Sequence, residues 1–350
     1  MNACELRDFI ANKQEDTVIS FKPADKPGKI VPINPFALYT RVFEKHSRAS
    51  IKIQDGCNNS CAFCKIHFAR GNSVSIPVEE AVERAVLLEQ NGAEEIVLTG
   101  VNLSQYYGKL NYQTDEYVGF AKLLKILLEK TKKVTYRISS FYPQSITEEL
   151  CEVLKDERVM PFFHLSIQSG SNEILKKMNR PYEKQTVINA VKLLRKAKNN
   201  PFISCDIIAG FPGETEVDFE QTKQLCNECH FAWIHAFPFS PRPGTAAKLM
   251  KPQIPERIKD ERVAWLTNKA IEGKLEYIDY WKNKSISAVV ENPRSERLRE
   301  NNSDTQSLYK LHCVTDNFIH VEFLSDKIIP SGTRINIKID SSFEESIRKG

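Results

Sequence analysis

Apolar and polar positions change their period several times along the chain. Ile96-Val-Leu98 is a short apolar run typical of a buried strand, whereas Val78, Ala81, Val82 and Ala85 recur at helical spacing. The same signals predict strands over 51–54, 95–98, 134–139, 162–167, 202–208 and 232–237, and helices over 77–91, 118–131, 147–155, 171–178, 184–198 and 215–228. Parallel strands need helical crossovers of about this length, so the chain is predicted to be α/β. Alternating units that number six rather than eight predict a partly open (β/α)6 barrel.

A second pattern begins near residue 284. Residues 255–283 predict one long helix, and period-two alternation follows over 285–290, 309–314, 318–323 and 333–339. This pattern predicts a small antiparallel β-barrel. The predicted organisation is an extended lead-in over 1–45, the α/β domain over 46–283, the β-barrel over 284–342 and a tail over 343–350.

Composition narrows the class of protein. The 350 residues suit one large and one small domain, and 41% hydrophobic with 27% charged residues is typical of a soluble globular protein. No stretch has the length of a membrane-spanning helix and no signal peptide is evident, so we expect a cytoplasmic protein with no membrane partner. The nine cysteines do not suggest a disulfide framework, and the net charge of +4 permits a nucleic-acid partner without requiring one.

Three cysteines form the most informative motif. Cys57, Cys61 and Cys64 follow a predicted strand that Asp55-Gly56 ends, so they lie on a loop at its carboxyl end. Three thiolates there predict the ligands of three irons of one [4Fe-4S] cluster, with the fourth iron open. A zinc site is the alternative, but structural zinc sites normally use four ligands.

The other cysteines are predicted to form no site. A second close pair, Cys226 and Cys229, falls in a predicted helix, and the remaining cysteines are isolated in the sequence. Free cysteine commonly behaves as a small hydrophobe. The isolated residues are Cys4, Cys151, Cys205 and Cys313.

An ordered series of motifs carries a family resemblance. The motifs are His46-Ser-Arg-Ala-Ser-Ile-Lys-Ile-Gln-Asp-Gly-Cys-Asn58, Ala69-Arg-Gly71, Ile96-Val-Leu-Thr-Gly100, His164-Leu-Ser-Ile-Gln-Ser-Gly170, Lys177-Met-Asn-Arg-Pro-Tyr182, Ile207-Ile-Ala-Gly-Phe-Pro-Gly-Glu-Thr215 and His235-Ala-Phe-Pro-Phe-Ser-Pro-Arg-Pro-Gly-Thr245. Over about residues 46 to 340 the chain resembles the radical S-adenosylmethionine superfamily, and within it the methylthiotransferases that modify adenosine beside the anticodon of tRNA. The first and last motifs are most similar to the threonylcarbamoyladenosine branch.

The resemblance implies cofactors and partners. S-adenosylmethionine would bind the open iron and yield an adenosyl radical on reduction. The C-terminal β-region would be a TRAM domain that holds tRNA, and an electron donor such as a flavodoxin or ferredoxin would supply the electron. No catalytic side chain is predicted beyond the cluster ligands.

The resemblance also implies a cofactor site at the strand ends. It places Thr99 and Gly100 beside the amino group of S-adenosylmethionine, although a strand ending in Thr-Gly is by itself a common turn. Gln168 and Ser169 lie in the same position after the fourth strand. The segment from Ile208 to Gly210 is expected to contact the adenine through its backbone, while Thr215 serves as a helix N-cap.

Four basic residues are candidate contacts of the cofactor or of RNA. Arg180 is expected either to pair with the cofactor carboxylate or to be a solvated surface arginine. Arg242, in a proline-rich loop, is expected to contact an RNA phosphate or base, or to belong to a plain turn. Lys282 and Lys284 are predicted phosphate contacts at the start of the β-region.

One departure from the family leaves the reaction open. The family normally has an N-terminal domain with three further cysteines for a second cluster, whereas only Cys4 precedes Arg48 here. The chain is expected to be a fragment, to depend on a separate sulfur-supplying protein, or to catalyse an altered reaction. The three functional hypotheses are a tRNA methylthiotransferase, a tRNA-binding protein that retains a cluster, and a radical enzyme with another substrate.

Overall fold

The computed structural model describes residues 34–37, 48–291, 297–298, 308–325 and 327–339. The chain divides into two compact units, 1–37 and 38–350, and the description below concerns the second. Most of the predicted lead-in and all of the predicted tail lie outside the described residues. None of the described helices is both long and apolar enough to cross a bilayer.

Elements are numbered in chain order. The strands are β1 Ala49–Asp55, β2 Val74–Ser75, β3 Glu95–Gly100, β4 Tyr107–Lys109, β5 Tyr117–Gly119, β6 Thr135–Ile138, β7 Phe162–Gln168, β8 Phe202–Ala209, β9 Trp233–Pro238, β10 Ser285–Val290, β11 Arg297–Leu298, β12 Leu308–Thr315, β13 His320–Ser325 and β14 Arg334–Lys338. The helices are α1 Ile66–Arg70, α2 Val78–Gln90, α3 Phe120–Lys130, α4 Glu148–Leu154, α5 Asn172–Lys177, α6 Lys184–Ala197, α7 Glu216–Cys229, α8 Ala246–Leu249 and α9 Glu256–Trp281.

The predicted α/β alternation is confirmed. Strands β1, β3 and β6 pair in parallel, as do β7, β8 and β9. Phe141 joins the two groups, because its N–H donates to His164 O at 2.9 Å and its carbonyl accepts from Ser166 N at 2.9 Å. Within the described strands β1 and β9 do not pair with each other, so the sheet stays open on that side.

Helix α7 shows how the sequence sets an element boundary. Thr215 is its N-cap, as predicted, and its side chain accepts a hydrogen bond from Asp218 N. The Asp218 carboxylate in turn accepts from Thr215 N at 2.9 Å, which completes a capping box. The boundary fixes where the loop after β8 ends and the helix begins.

The C-terminal strands form an antiparallel sheet. Its order is β11-β12-β10-β14, with β13 paired to β12. The four predicted strands therefore correspond to β10, β12, β13 and β14. Residues 292–296 and 299–307 lie outside the described part, and the TRAM-like barrel remains a prediction.

This sheet and the α/β barrel share one apolar cluster. The Phe318 ring lies 4.1 Å from the Phe162 ring and 5.8 Å from the Phe202 ring, centroid to centroid. Tyr277 of α9 and Ile286 of β10 are buried in the same cluster. The change in sequence pattern near residue 284 therefore does not mark a break in packing.

A buried ion pair reinforces the same junction. Glu95 is completely buried and accepts from Arg137 Nε at 2.7 Å and Nη2 at 3.1 Å. Arg137 also donates to the carbonyls of Thr315 at 3.4 Å and Asp316 at 3.2 Å. Burial alone would raise the pKa of Glu95, but the charge of and hydrogen bonds from Arg137 hold it below its usual value.

Glu95→Gln is expected to lower the free energy of unfolding at pH 7 by about 3–5 kcal/mol, because it leaves a buried guanidinium without its counter-charge. Urea unfolding of both proteins measures the difference. Folding lowers the pKa of Glu95. Its contribution to the free energy of unfolding is therefore fully present above the ordinary glutamate pKa, and it is lost as the pH falls through the pKa of the folded state. The difference in the free energy of unfolding between the wild type and Glu95→Gln should therefore become smaller at acidic pH.

Glu152→Gln is the matched control, because Glu152 is exposed on α4 and its one ion pair among the described residues is with exposed Lys155. Its loss should change stability by no more than about 1 kcal/mol. Equal effects of the two substitutions would show that the buried pair does not stabilise the junction.

Candidate active site

The cysteine loop begins where β1 ends. Gly56 has φ +71°, and a Cβ there would lie 2.0 Å from Asn72 O. Cys57 N donates to Gly71 O at 3.0 Å. The loop therefore lies against the segment after α1 so closely that only glycine fits at position 56.

The Gln54 side chain anchors the cysteine loop through hydrogen bonds. Its Nε2 donates to Gly56 O and Ser73 Oγ, each at 2.8 Å, and its Oε1 accepts from Asn102 N at 2.7 Å. The side chain is fully buried with both polar ends satisfied. It connects the ends of β1 and β3 to the cysteine loop.

Asp55 adds an ionic anchor. Its carboxylate accepts from Arg70 Nε at 2.8 Å and Nη2 at 2.6 Å, and from Lys52 Nζ at 2.5 Å. Burial alone would raise the pKa of Asp55, but these hydrogen bonds lower it. The carboxylate is thus ionised at neutral pH and ties α1 to the end of β1.

Each of the three cysteine sulfurs accepts a hydrogen bond. The donor–sulfur pairs are Asn102 Nδ2 to Cys57 at 3.6 Å, Arg180 Nη1 to Cys61 at 3.3 Å, and Ile66 N to Cys64 at 3.4 Å. Such donors stabilise negative charge on sulfur and suit cluster-bound thiolates. Within the described residues, no three His, Cys, Asp or Glu side chains are grouped to hold a single metal ion. Three thiolates that each accept a hydrogen bond fit the donor set of an iron–sulfur cluster.

The other described cysteines have a different environment. Burial raises the pKa of Cys151 to about 11, and that of Cys226, Cys229 and Cys313 to about 12. Burial also raises the pKa of Cys205. These thiols remain protonated at neutral pH, in keeping with their prediction as small hydrophobes.

A cavity of about 360 Å³ opens beside Cys64. It is bounded by Gln168 of β7, Asp206 and Ile208 of β8, and Arg242 beyond β9. Its walls are largely aromatic and aliphatic with a few polar groups, as in sites for small organic ligands. The structure thus brings three predicted site residues, Gln168, Ile208 and Arg242, together with a predicted cluster ligand.

Thr99 and Gly100, the predicted site residues at the end of β3, contact residues outside the cavity wall. Thr99 Oγ1 donates to Ile51 O at 3.4 Å. A Cβ at Gly100 would lie 2.8 Å from Leu103 Cδ2 and 3.0 Å from Gln54 Cβ, so a larger residue there would require these side chains to shift. Neither residue lines the cavity beside Cys64.

The turn after β7 and the loop after β8 are internally bonded. Buried Ser169 Oγ accepts from Ser171 N at 3.2 Å, and Gln168 has φ 74°, unusual for a residue other than glycine. Gly210 N donates to Glu214 Oε2 at 2.6 Å. The Gly210 N–H is therefore already occupied, while its neighbour Ile208 lines the cavity.

The predicted RNA contacts lie in two places. Arg242 is exposed at the cavity, and among the described residues no carboxylate pairs with it. Lys282 and Lys284 lie between α9 and β10, where Lys284 Nζ stands 3.4 Å from the Tyr280 ring centroid. The lysines are not part of the cavity wall.

Arg180 is buried rather than solvated, with 9% exposure, so the surface interpretation is wrong. It contacts Tyr142 and Tyr182, which sequence reasoning did not select, as it did not select Gln54 or Asn102. The only signal for Tyr182 was its place in the Lys177–Tyr182 motif. Tyr142 lies after β6, far from that motif in sequence.

Comparisons with known proteins place the chain in a class and then in a family. A family model described as the Radical SAM superfamily matches residues 51–226. The chain is 47% identical over 266 residues to the threonylcarbamoyladenosine tRNA methylthiotransferase MtaB of Treponema pallidum, covering 76% of this chain and 54% of that protein. It is 37% identical to MtaB of Bacillus subtilis, covering 80% and 60%, and 33% identical to the tRNA-2-methylthio-N(6)-dimethylallyladenosine synthase of Ehrlichia chaffeensis, covering 89% and 68%.

These matches show a radical S-adenosylmethionine protein. More narrowly, the chain belongs to the radical S-adenosylmethionine methylthiotransferase family. It spans about half the length of the Treponema relative.

Proposed function

We propose that this chain is a radical enzyme that methylthiolates an N6-modified adenosine of tRNA, with N6-threonylcarbamoyladenosine as the favoured substrate. The observation that carries the proposal is the cavity bounded by Cys64 and by the exposed guanidinium of Arg242. A cluster ligand and a potential RNA contact thus border the same apolar space. The names of the relatives support the threonylcarbamoyl form over the dimethylallyl form, since the MtaB of Treponema pallidum is 47% identical and the dimethylallyladenosine synthase of Ehrlichia chaffeensis 33%.

The chain's own residues supply binding, shielding and orientation. Cys57, Cys61 and Cys64 would hold three irons of one [4Fe-4S] cluster. Bound together, the cluster and S-adenosylmethionine supply one-electron cleavage of a carbon–sulfur bond. Gln168 and Ile208 wall the cavity on the side of β7 and β8, and its apolar lining limits the access of water.

We expect the electron and the sulfur atom to come from other groups than the cysteine loop. The electron would come from a low-potential donor such as a flavodoxin or ferredoxin. The sulfur would come from residues or a protein beyond those described here. tRNA would bind in the cytoplasm, with Lys282 and Lys284 on phosphates near the C-terminal sheet.

Nucleoside analysis tests the proposed reaction. Total tRNA from cells with and without the gene would be digested, and the 2-methylthio derivatives measured by mass spectrometry. Loss of 2-methylthio-N6-threonylcarbamoyladenosine on deletion, and its return on complementation, is the expected result. An unchanged pool of all methylthio-adenosines would contradict the function, and loss of the dimethylallyl derivative alone would transfer the assignment to that substrate.

Arg242→Ala is expected to weaken tRNA binding and to reduce the slope of log affinity against log salt by about one, as the loss of a single phosphate contact does. Filter binding or anisotropy at several salt concentrations measures both quantities. Arg257→Ala is the control, because Arg257 is exposed but paired with Glu261 on α9. An unchanged salt slope for Arg242→Ala would exclude the phosphate contact.

A further inference from the structure

An exposed aromatic side chain lies about one helical turn beyond the last of the three loop cysteines. Phe68 belongs to α1 and is 67% exposed. Lys65, which directly follows Cys64, places its Nζ 4.3 Å from the centroid of the Phe68 ring. A single exposed apolar residue is ordinary on a protein surface, so the neighbours of Phe68 decide whether it has a role.

The segment after the cysteine loop and the loop after β9 contact each other. Ala247 N of α8 donates to Ala62 O at 2.9 Å. A Cβ at Gly244 would lie 2.5 Å from Lys65 Nζ, so the lysine ammonium lies against the backbone of the loop after β9. The two segments therefore form one continuous surface.

This surface surrounds the opening of the cavity beside Cys64. Phe237, which is 49% exposed, and exposed Arg242 both border the cavity. Lys65 connects the loop that carries Arg242 with Phe68. We define the mouth surface as Lys65, Phe68, Phe237 and Arg242. A polymer with one unit inside the cavity places its neighbouring units on the mouth surface.

The two segments contain no carboxylate. Residues 56–78 and 236–255 lack Asp and Glu, although the chain has 45 of these residues. Asp55, the carboxylate just before the first segment, is bonded to Arg70 and Lys52. The mouth of the cavity is therefore positively charged, which favours contact with phosphates. The basic residues of the two segments are Lys65, Arg70, Arg242, Lys248 and Lys251.

An exposed flat ring among cations favours a nucleic-acid strand over an acidic protein. Proteins bind unpaired bases by stacking them on aromatic side chains beside a positively charged groove that follows the phosphates. An acidic protein would use the cations but not the flat face of the Phe68 ring. The proposed RNA substrate supplies both kinds of partner, because the nucleotides that flank the target adenosine carry bases and phosphates.

We propose that Phe68 is a stacking platform for an unpaired base next to the target adenosine and that Lys65 contacts a phosphate of the same strand. The stack holds the strand at the mouth surface while the adenosine occupies the cavity. Phe68 is thus a substrate-binding residue that does not touch the reacting atoms. The inference rests on the proposed function, because it requires an RNA substrate, but not on which N6 group the adenosine carries.

The test measures the affinity of the reconstituted protein for an RNA stem–loop with the target adenosine in its loop. Phe68→Ala should weaken binding by about 5- to 100-fold, which is the range for loss of one base–aromatic stack. Phe68→Leu keeps an apolar side chain without a flat ring and should weaken binding nearly as much. Phe68→Trp should bind at least as tightly as the wild type. Fluorescence anisotropy at equal iron content gives the affinities.

Stem–loops with one abasic nucleotide locate the stack. When the stacked base is absent, Phe68→Ala should cause no further loss of affinity, so one abasic position beside the target should show strong coupling to Phe68 in a double-mutant cycle. A merely structural effect of the substitution would weaken the binding of intact and abasic RNA alike. That result would overturn the proposal.

Tyr112→Ala is the matched control, because Tyr112 is 63% exposed but donates to Glu80 at 2.7 Å, and a carboxylate disfavours RNA. Its RNA affinity should equal that of the wild type. Lys65→Ala should reduce the slope of log affinity against log salt by about one. Phe68→Ala should leave this slope unchanged, because it removes no charge.

Unchanged RNA affinity of Phe68→Ala would overturn the inference, and weaker binding of an acidic electron donor by the same variant would assign the mouth surface to that donor instead. Failure of the wild type to bind any such stem–loop at low salt would reject the proposed function together with this inference. Equal binding by the wild type and Phe68→Ala rejects only the role of Phe68.

Discussion

Replacing Cys57, Cys61 or Cys64 by alanine is expected to abolish cleavage of S-adenosylmethionine and to remove the visible absorbance of the cluster. Each substitution leaves two thiolates on a cluster whose stability depends on three. Each sulfur also accepts a hydrogen bond from a different donor, namely Asn102, Arg180 and the backbone of Ile66. Iron analysis, absorbance and the yield of 5′-deoxyadenosine measure the effect.

The matched controls are Cys205→Ala and Cys226→Ala, because both thiols are buried in the fold and kept protonated by burial. These variants should lose some stability but retain about four irons per folded chain. A variant at one of the three loop positions that kept full iron and full activity would disprove that residue as a ligand.

Gly56→Ala is expected to have the largest effect of any substitution that spares the ligands. The left-handed backbone alone disfavours alanine by about 1–2 kcal/mol. In addition, the new Cβ would lie 2.0 Å from Asn72 O, a backbone atom that can move only if the loop moves. The loop should therefore open and the protein should lose most of its cluster on reconstitution.

Gly92→Ala separates the effect of the left-handed backbone from that of the close contact. Gly92 has φ +85°, but no atom lies within 4 Å of the added Cβ. It should lower the unfolding temperature without changing iron content. If Gly56→Ala and Gly92→Ala had the same effect on iron binding, the close contact with Asn72 would not hold the cysteine loop.

The sequence was most informative where local patterns decide the structure. The six barrel strands and the long helix α9 lie within a few residues of their predicted positions, because period and β-branched composition reflect local burial. Thr215 was predicted as an N-cap because capping is local. The short hairpin of β4 and β5 was missed, since it lies in a polar segment between β3 and α3.

Long-range contacts were beyond prediction. The bond from Gln54 to Asn102 and the contact of Arg180 with Cys61 join residues far apart in sequence, and no spacing rule connects them. The period-two strands after residue 284 predict a small domain of their own, and that boundary stays a prediction. The pattern did not reveal that Phe318 packs on Phe162 in an apolar cluster shared by both regions.

The central claim is that Cys57, Cys61 and Cys64 hold one cluster with an open iron that can cleave S-adenosylmethionine. Its most direct test is anaerobic reconstitution of the chain, iron analysis, and incubation with reductant and S-adenosylmethionine. The account predicts about four irons per chain and formation of 5′-deoxyadenosine. A sample loaded with four irons that forms no 5′-deoxyadenosine would contradict it.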